Sequence, residues 1–303
     1  MTILLTGATG FIGKEIRKQG LAEYRCVSRR TQGEQDDTFS VESIDDQTCW
    51  SGAFDNCDAV IHLAGVAHNK GSSVDDFYEI NYKGTMHLAR SAASAGVKRF
   101  VFVSTVGVLG NGTDSKGLTN HSSAAPHNDY AKSKWLAEQA LLELQDQSEM
   151  DVVIVRPPLV YGSEAPGNFG ALAKLVKSFP LLPFGLVKNR RSIISCTNLA
   201  DFLYRCCYLP EATGKAWLVA EREPVSTREL VRQIALAQGK SCWQLLVPTS
   251  LMYWGADLLG KRAMAEQLLG DLVLEVDETF EKLGWVPPYT MQQGLSCNQK
   301  EEL

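Results

Sequence analysis

No apolar run in this chain approaches the roughly 18 residues that a helix needs to cross a bilayer, so a membrane-inserted protein is not expected. Basic tracts are missing too. Beyond Arg29-Arg30 and Arg190-Arg191 the cations are scattered, and the net charge is −5, which argues against nucleic acid as a partner. The eight cysteines, at 26, 49, 57, 196, 206, 207, 242 and 297, form no C-x-x-C pair and have no histidine cluster beside them. They read as reduced thiols of a cytoplasmic protein, and no metal is expected. Repeats and low-complexity tracts are absent. The first strand is read from residue 2, which leaves no place for a signal peptide before it. What remains is a chain of 303 residues, 45% hydrophobic and 21% charged, enough for one large or two modest domains with an ordinary core.

The N-terminus carries the first chemical pattern. A short apolar strand over 3–5 runs into Gly7-x-x-Gly10-x-x-Gly13, and helical spacing of Phe11, Ile12 and Ile16 follows. A strand, a glycine turn and a helix in that order form a seat for a pyrophosphate. Gly7 permits the tight turn, Gly10 has no side chain in the way, and Gly13 lets the helix lie close to the strand with its N-terminus toward the phosphates. Taken alone, the stretch also fits a glycine-rich turn without a ligand.

Downstream, strands alternate with helices. Strands are expected over 24–28, 41–44, 58–63, 99–104 and 151–155, with a loop over 31–40 and a second over 110–127. A long helix is expected over 74–95, and another capped by Asn128 or Asp129 and running to about 147. This is an α/β pattern, and it implies a parallel sheet with right-handed crossovers, a Rossmann-type doubly wound sheet. After Arg156-Pro157-Pro158 the segments shorten, with helices near 168–178, 197–208, 226–238, 249–259 and 277–283 and strands near 192–195 and 216–219. The expected division is a dinucleotide-binding domain over 1–160, to which some later segments return, and a small α/β substrate-binding cap over 161–303 at the sheet's C-terminal edge.

The second pattern is Tyr130-Ala-Lys-Ser-Lys134. On a helix, positions i and i+4 share a face. An ammonium near a phenol lowers the phenol's pKa from about 10, so that it can exchange a proton near neutrality. The plain alternative is a tyrosine on an amphipathic helix. Thr105, at the end of the strand over 99–104, would hold its hydroxyl at the same sheet edge; by itself it reads as a turn or capping hydroxyl.

Together these residues resemble the extended short-chain dehydrogenase/reductases, and among them the NAD(P)-dependent nucleotide-sugar epimerases, dehydratases and reductases. The resemblance rests on Gly7-Ala-Thr-Gly10-Phe-Ile-Gly13, His62-Leu-Ala-Gly65, Asn81-Tyr-Lys-Gly-Thr85, Phe102-Val-Ser104-Thr105 with Gly110, Tyr130-Ala-Lys-Ser-Lys134 and Arg156-Pro-Pro-Leu-Val-Tyr-Gly162. It implies a catalytic set of Thr105, Tyr130 and Lys134, with Tyr130 as the acid/base, Lys134 on the nicotinamide ribose and Thr105 orienting the reacting oxygen. The implied cofactor contacts are Gly7, Thr9, Gly10, Phe11, Ile12, Gly13, Arg29, Arg30, Ile44, Leu63, Ala64, Gly65, Asn81, Tyr130, Lys134 and Pro157. Arg191 matches the position that meets the nucleotide diphosphate of the sugar; Asn168 and Arg262 are weaker candidates there, and Thr105 touches the substrate. A sugar pocket would draw on Val66, Ala67, His68, Val108, Leu109 and Asn168. Relatives also imply a homodimer through the helices over 74–95 and 128–147.

Two departures bear on the reaction. Members that prefer NAD end the second strand on an acid, whereas Ser28-Arg29-Arg30 stands here; an arginine there either takes the NADP 2′-phosphate or only stacks on the adenine, which leans toward NADP with NAD as the alternative. Ser43-Ile44 stands where the family often has Asp-Ile or Asp-Leu for the adenine, which leaves that contact open. Val106-Gly107 follows Thr105 where dehydratases carry two acids, so dehydration is disfavoured. Chemistry at C4 of a UDP-sugar is left, with 4-keto reduction slightly ahead and 4-epimerisation as the alternative; a non-catalytic NADP-binding scaffold is a third reading.

Overall fold

The structure is a computed structural model that describes residues 1–29, 37–67, 73–113 and 116–296. Its centre is β1 (Thr2–Thr6), whose residues 3–6 are all buried. β2 (Glu23–Ser28) pairs on one side, Ile3 opposite Tyr24, and β3 (Thr38–Ser40) pairs beyond it. On the other side lie β4 (Ala59–His62), β5 (Arg99–Val103) and β6 (Asp151–Arg156). The order is β3-β2-β1-β4-β5-β6, parallel throughout. A seventh strand, Lys215–Leu218, extends it beside β6. The chain leaves β1 in both directions, so a crevice opens between β1 and β4 at their C-terminal ends, where such sheets bind ligands.

Period-two alternation packs both faces. Ile3, Leu5, Ile61, Val101 and Val153 point to one side, where α1 (Phe11–Gln19) contributes Ile16. Leu4, Val60, Phe100, Phe102 and Ile154 point to the other. There they meet α3 (Thr85–Ser94) through Met86 and Leu88, and α4 (Asp129–Asp146) through Ala137 and Leu141. Each fully buried aliphatic or aromatic side chain contributes about 1.5–3 kcal/mol relative to exposure. Asn128, whose side chain accepts from the Ala131 N–H, is the cap of α4.

Two expected elements differ. The third strand is 38–40, not 41–44: Phe39 stacks on Trp50 at 6.1 Å, and the chain leaves the sheet once the Val41 N–H has bonded Ser28 O. Val41 and Ile44 stand three apart, which is not a strand period. The long helix over 74–95 is broken into α2 (Val74–Tyr78), a π-helical turn (Glu79–Gly84) and α3. Gly84 explains the close packing of that turn, since a Cβ there would stand 2.5 Å from Ile44 O.

Beyond β7 (Leu159–Tyr161) a separate core forms around Tyr161, Phe169, Leu172, Leu230 and Ile234. It is built from α5 (Gly167–Ser178), β8 (Leu181–Leu182) and β9 (Ile193–Ser195), then α6 (Cys196–Cys206), the sheet strand β10 (Lys215–Leu218), α7 (Thr227–Ala237) and β11 (Trp243–Gln244), and finally α8 (Thr249–Leu258), α9 (Arg262–Leu269), α10 (Asp277–Leu283) and α11 (Met291–Ser296). Of these, β10 belongs to the main sheet, and α6 sends Leu199, Phe202 and Leu203 into its core. The β7, β8, β11, α9 and α11 segments have no counterpart among the expected elements: they are short, and β7 and β9 pair only with each other. Glu221 ties this region together. Its Oε1 accepts from the Tyr161 hydroxyl at 3.1 Å, the Ser195 N–H at 2.8 Å and Asn198 Nδ2 at 2.9 Å.

Among the described residues, no helix is long and apolar enough to cross a membrane. The seven described cysteines are free thiols, four of them buried. Cys297 lies outside the described residues.

Candidate active site

A groove of about 650 Å³ runs over the C-terminal ends of β1, β2 and β4. Its floor is the glycine turn. Gly7 has φ +71°, a conformation side chains seldom adopt, and a Cβ there would meet the backbone of Leu63 and Ala64 at 3.0–3.1 Å. At Gly13 a Cβ would stand 2.3 Å from Gly7 O. At Gly10, the residue before α1, it would stand 3.1 Å from the same oxygen, and no side chain caps the helix. The first amides of α1 therefore face the groove with the positive end of the helix dipole behind them. Bare backbone and an uncapped helix N-terminus fit a dinucleotide pyrophosphate.

Of the residues expected at the cofactor, Gly7, Thr9, Gly10, Phe11, Ile12, Gly13, Arg29, Ile44, Leu63, Ala64 and Gly65 line this groove. Arg30 lies outside the described residues. Pro157 does not line it: its carbonyl accepts the Val106 N–H at 3.0 Å, and the adjoining Pro158, with Leu159 and Val160, takes the groove wall. Ser43, matched with Ile44 to the adenine, also lines the groove, as do Val27, Glu42, Ile80, Pro166 and Gly167, which carry no cofactor pattern in the sequence because crossings of distant segments place them there.

Gly65 connects the groove to the second cluster. A Cβ on it would stand 2.7 Å from Asn81 Oδ1 and 3.4 Å from Lys134 Nζ. Asn81 sits in the π-helical turn, which turns its buried amide toward Val66: Oδ1 accepts the Val66 N–H at 2.8 Å, and Nδ2 donates to Val66 O at 3.0 Å and Ser133 Oγ at 3.1 Å. Lys134 Nζ donates to Val103 O at 3.0 Å and lies 4.5 Å over the Phe102 ring. Tyr130, one turn earlier on α4, packs edge-on to Phe77 at 6.2 Å. Thr105 follows β5, and its Oγ1 accepts the Gly107 N–H at 3.1 Å while keeping its own proton to donate. A Cβ on Gly107 would lie 3.3 Å from Thr105 Oγ1 and 3.6 Å from the Ala131 Cβ, so Thr105 stands beside the first turn of α4. Ser104 Oγ, just before it, is buried without a hydrogen-bond partner within the protein, an unmet polar group at the same sheet edge.

The electrostatics correct one expectation. Lys134 does not lower Tyr130 here: burial pushes the phenol up to about 12. Burial also pulls the Lys134 ammonium down to about 8, against the upward pull of Glu138. In this low-polarity site desolvation disfavours the charged form of each group.

His62 links the two clusters. It is fully buried between β1 and α3. Thr6 Oγ1 accepts the Ala64 N–H at 3.2 Å, so its own proton goes to His62 Nδ1 at 2.6 Å. Thr85 donates to Asn81 O at 2.8 Å, so its oxygen accepts from His62 Nε2 at 2.9 Å. These partners assign the neutral tautomer with the proton on Nε2. Burial, with Lys134 adding to it, pulls the imidazole down to about 3. Because the unfolded histidine titrates near 6.5, the stability that neutral His62 contributes is complete above that pH and is lost as pH falls toward 3. In urea unfolding from pH 7 to pH 4, the wild-type midpoint is expected to fall more steeply than that of His62→Gln; parallel curves would rule out this linkage.

The three proposed sugar-side residues part company. Asn168, in the first turn of α5, lines the groove, and its Nδ2 donates to Gln267 at 2.7 Å. Arg191 is largely buried, with Nη1 donating to Gly270 O at 2.9 Å, and burial lowers its pKa. Arg262 lies exposed over the Tyr253 ring, paired with Asp257 at 2.9 Å and Glu266 at 3.1 Å. Of the expected sugar-pocket residues, Val66 and Ala67 line the groove. Val108 and Leu109 do not serve: both are buried in the core under the sheet, where the short helical turn after Thr105 points them. His68 lies outside the described residues.

Residues 3–220 match the family described as the NAD dependent epimerase/dehydratase family. The chain is 38% identical to a UDP-glucose 4-epimerase of Vibrio cholerae over 97% of this chain and 93% of that one. In fold it is similar to a UDP-glucuronic acid 4-epimerase of Bacillus cereus in complex with NAD, at TM-score 0.75 and 17% identity over 98% and 96% of the two chains. It is equally similar to RMD of Pseudomonas aeruginosa complexed with NADPH, at TM-score 0.75 and 18% identity over 97% and 96%. With the glycine turn, the seven-stranded parallel sheet and the residues of α4 all in place, the chain belongs to the NAD dependent epimerase/dehydratase family.

Proposed function

We propose that this protein interconverts the C4 epimers of a UDP-sugar, with a nicotinamide dinucleotide in the groove over Gly7, Gly10 and Gly13. The observation that carries the reading is the 38% identity, across nearly the whole of both chains, to an enzyme named for that reaction. The site chemistry supports it. A bound nicotinamide supplies reversible oxidation at the sugar's C4. Tyr130 takes the proton of the sugar's O4 when C4 is oxidised and returns it when C4 is reduced, and burial favours the protonated phenol of that pair. Thr105 donates its hydroxyl proton to the same oxygen and fixes its direction. Lys134, held by Val103 O, carries positive charge at neutral pH and reaches the groove past Gly65. Asn81 holds the Val66 backbone that walls the groove. Asn168 and Arg191 are the proposed contacts to the sugar nucleotide, with Arg191 acting through guanidinium donors beyond the one given to Gly270. Arg262 already faces two carboxylates, so it is the weakest member of that set.

Arg29 favours a second reading. It lines the groove directly after β2, where a cation accommodates a 2′-phosphate, and that placement supports 4-keto reduction with NADPH. An epimerase returns its redox equivalents within each turnover, so it keeps its cofactor; a reductase must exchange it. The purified protein is therefore expected to carry near-stoichiometric dinucleotide, released by acid, and to equilibrate UDP-glucose with UDP-galactose with no cofactor added. Protein that emerges empty, leaves both sugars unchanged, and oxidises NADPH only with a 4-keto sugar nucleotide would replace epimerisation by reduction.

A further inference from the structure

The cap carries exposed apolar residues on its small sheet and on α8 that no other described residue covers. In the small sheet of β8 and β11, Leu181 pairs with Trp243 and Leu182 with Gln244. Leu182 is buried in the cap core, whereas Leu181 and Trp243 are 49% and 74% exposed. Phe179, two residues before Leu181 and on the same side by strand alternation, is 54% exposed. α8 repeats the pattern. Met252, Tyr253 and Ala256 turn inward, and no residue of the helix is fully buried. Leu251, Trp254 and Leu258, spaced i, i+3 and i+7, are 54%, 61% and 68% exposed. Ordinary surfaces carry single apolar residues, not runs of large ones with two tryptophans.

Charge identifies what covers these residues. The segments 165–200 and 230–248, which supply both strands of the small sheet, hold seven lysines and arginines and no aspartate or glutamate, and the one acid of α8, Asp257, is paired with Arg262 at 2.9 Å. The chain as a whole has a net charge of −5. Lys174, Lys177 and Lys240 are exposed, and Lys240 Nζ donates to Lys177 O, which brings two ammonium-bearing side chains to the edge of the small sheet. A second copy would set these cations against their own like charges. An anionic lipid surface answers both features, since tryptophan settles at the headgroup level and lysine pairs with lipid phosphates.

We propose that two apolar patches of the cap, Phe179, Leu181 and Trp243 on the small sheet and Leu251, Trp254 and Leu258 on α8, dock together on an anionic phospholipid surface, shallowly and without spanning it. Asn168 of the groove wall bonds Gln267 of α9, which packs against α8. Sedimentation with phosphatidylcholine vesicles containing one third phosphatidylglycerol tests this, with pure phosphatidylcholine as the comparison. Binding is expected to the mixed vesicles only, with a blue shift of tryptophan emission. Lys177→Gln with Lys240→Gln should weaken it by roughly thirtyfold. Trp243→Ser with Trp254→Ser should weaken it by at least about tenfold and remove the shift. All four side chains lie outside the proposed catalytic set, so turnover of a soluble UDP-sugar should not change and reports that each variant is folded. No sedimentation of the wild type with the mixed vesicles, or equal sedimentation of wild type and both variants, overturns the proposal. A concentration-dependent dimer in ultracentrifugation that Trp254→Ser abolishes, with no vesicle binding, assigns the patches to self-association and overturns it as well.

Discussion

Tyr130→Phe is expected to reduce UDP-sugar turnover by about 10²–10⁴-fold while dinucleotide binding is retained. The phenyl ring keeps the edge-on contact with Phe77, so α4 is not disturbed, and only the proton at the sugar's O4 is lost. The groove proposed for the dinucleotide is lined by backbone and side chains of other segments, and Tyr130 is not among them. Steady-state rates measured beside fluorescence titration with NAD and NADPH separate the two effects. Full turnover in the variant would remove Tyr130 from the chemistry; loss of binding together with turnover would show that the substitution acts on the groove instead.

Glu138→Gln is expected to cost about 3–5 kcal/mol of folding stability, because it strands the Arg156 guanidinium inside the protein. The side chains are 0% and 9% exposed, and Arg156 Nε donates to Glu138 Oε1 at 3.0 Å with a second bond from Nη2 to Oε2. This pair fastens α4 to the end of β6, eight residues on from Tyr130. Urea unfolding reads the loss. The double variant Glu138→Leu with Arg156→Met, which buries no charge, should regain most of it; a double variant as unstable as the single one would mean that packing, not the stranded charge, is at fault. The same substitution carries a kinetic signature. Glu138 holds the Lys134 pKa up against burial, so without it Lys134 loses its proton at a pH below about 8, and the alkaline fall in activity should move to lower pH. An unmoved alkaline limb would detach Lys134 from that fall.

The groove was legible in the sequence because its chemistry is local. Three glycines at a spacing of three, between a strand and a helix, specify a turn whose geometry depends on few other residues; the close approaches at Gly7 and Gly13 bear this out. The alternation of apolar strands with helices was enough for the sheet and for nearly every strand in it, since a strand buried on both faces is a continuous apolar run. Short elements were not legible. β7 and β11 have three and two residues, and their pairing depends on partners 34 and 62 positions away. The third strand was misplaced by a few residues because Val41 and Ile44 suggested a strand that the actual register, Ser28 opposite Ser40, does not continue.

By itself, the sequence determined the alternation of the main sheet's strands with helices, the bare backbone of the glycine turn, and the placing of Tyr130 and Lys134 on one helix face. Only the tertiary structure decided how those groups titrate and which others join them. Tyr130 is pushed up to about 12, not down, because burial is set by what packs over the ring. His62 sits in one tautomer because Thr6, 56 positions away, gives it a proton and Thr85, 23 positions away, takes one. Arg262 is spent on Asp257 and Glu266, and Val108 and Leu109 turn into the core rather than to a sugar. Spacing along a chain fixes which side chains share a face of one element; the polarity around them depends on segments that meet only when the sheet is closed by its helices.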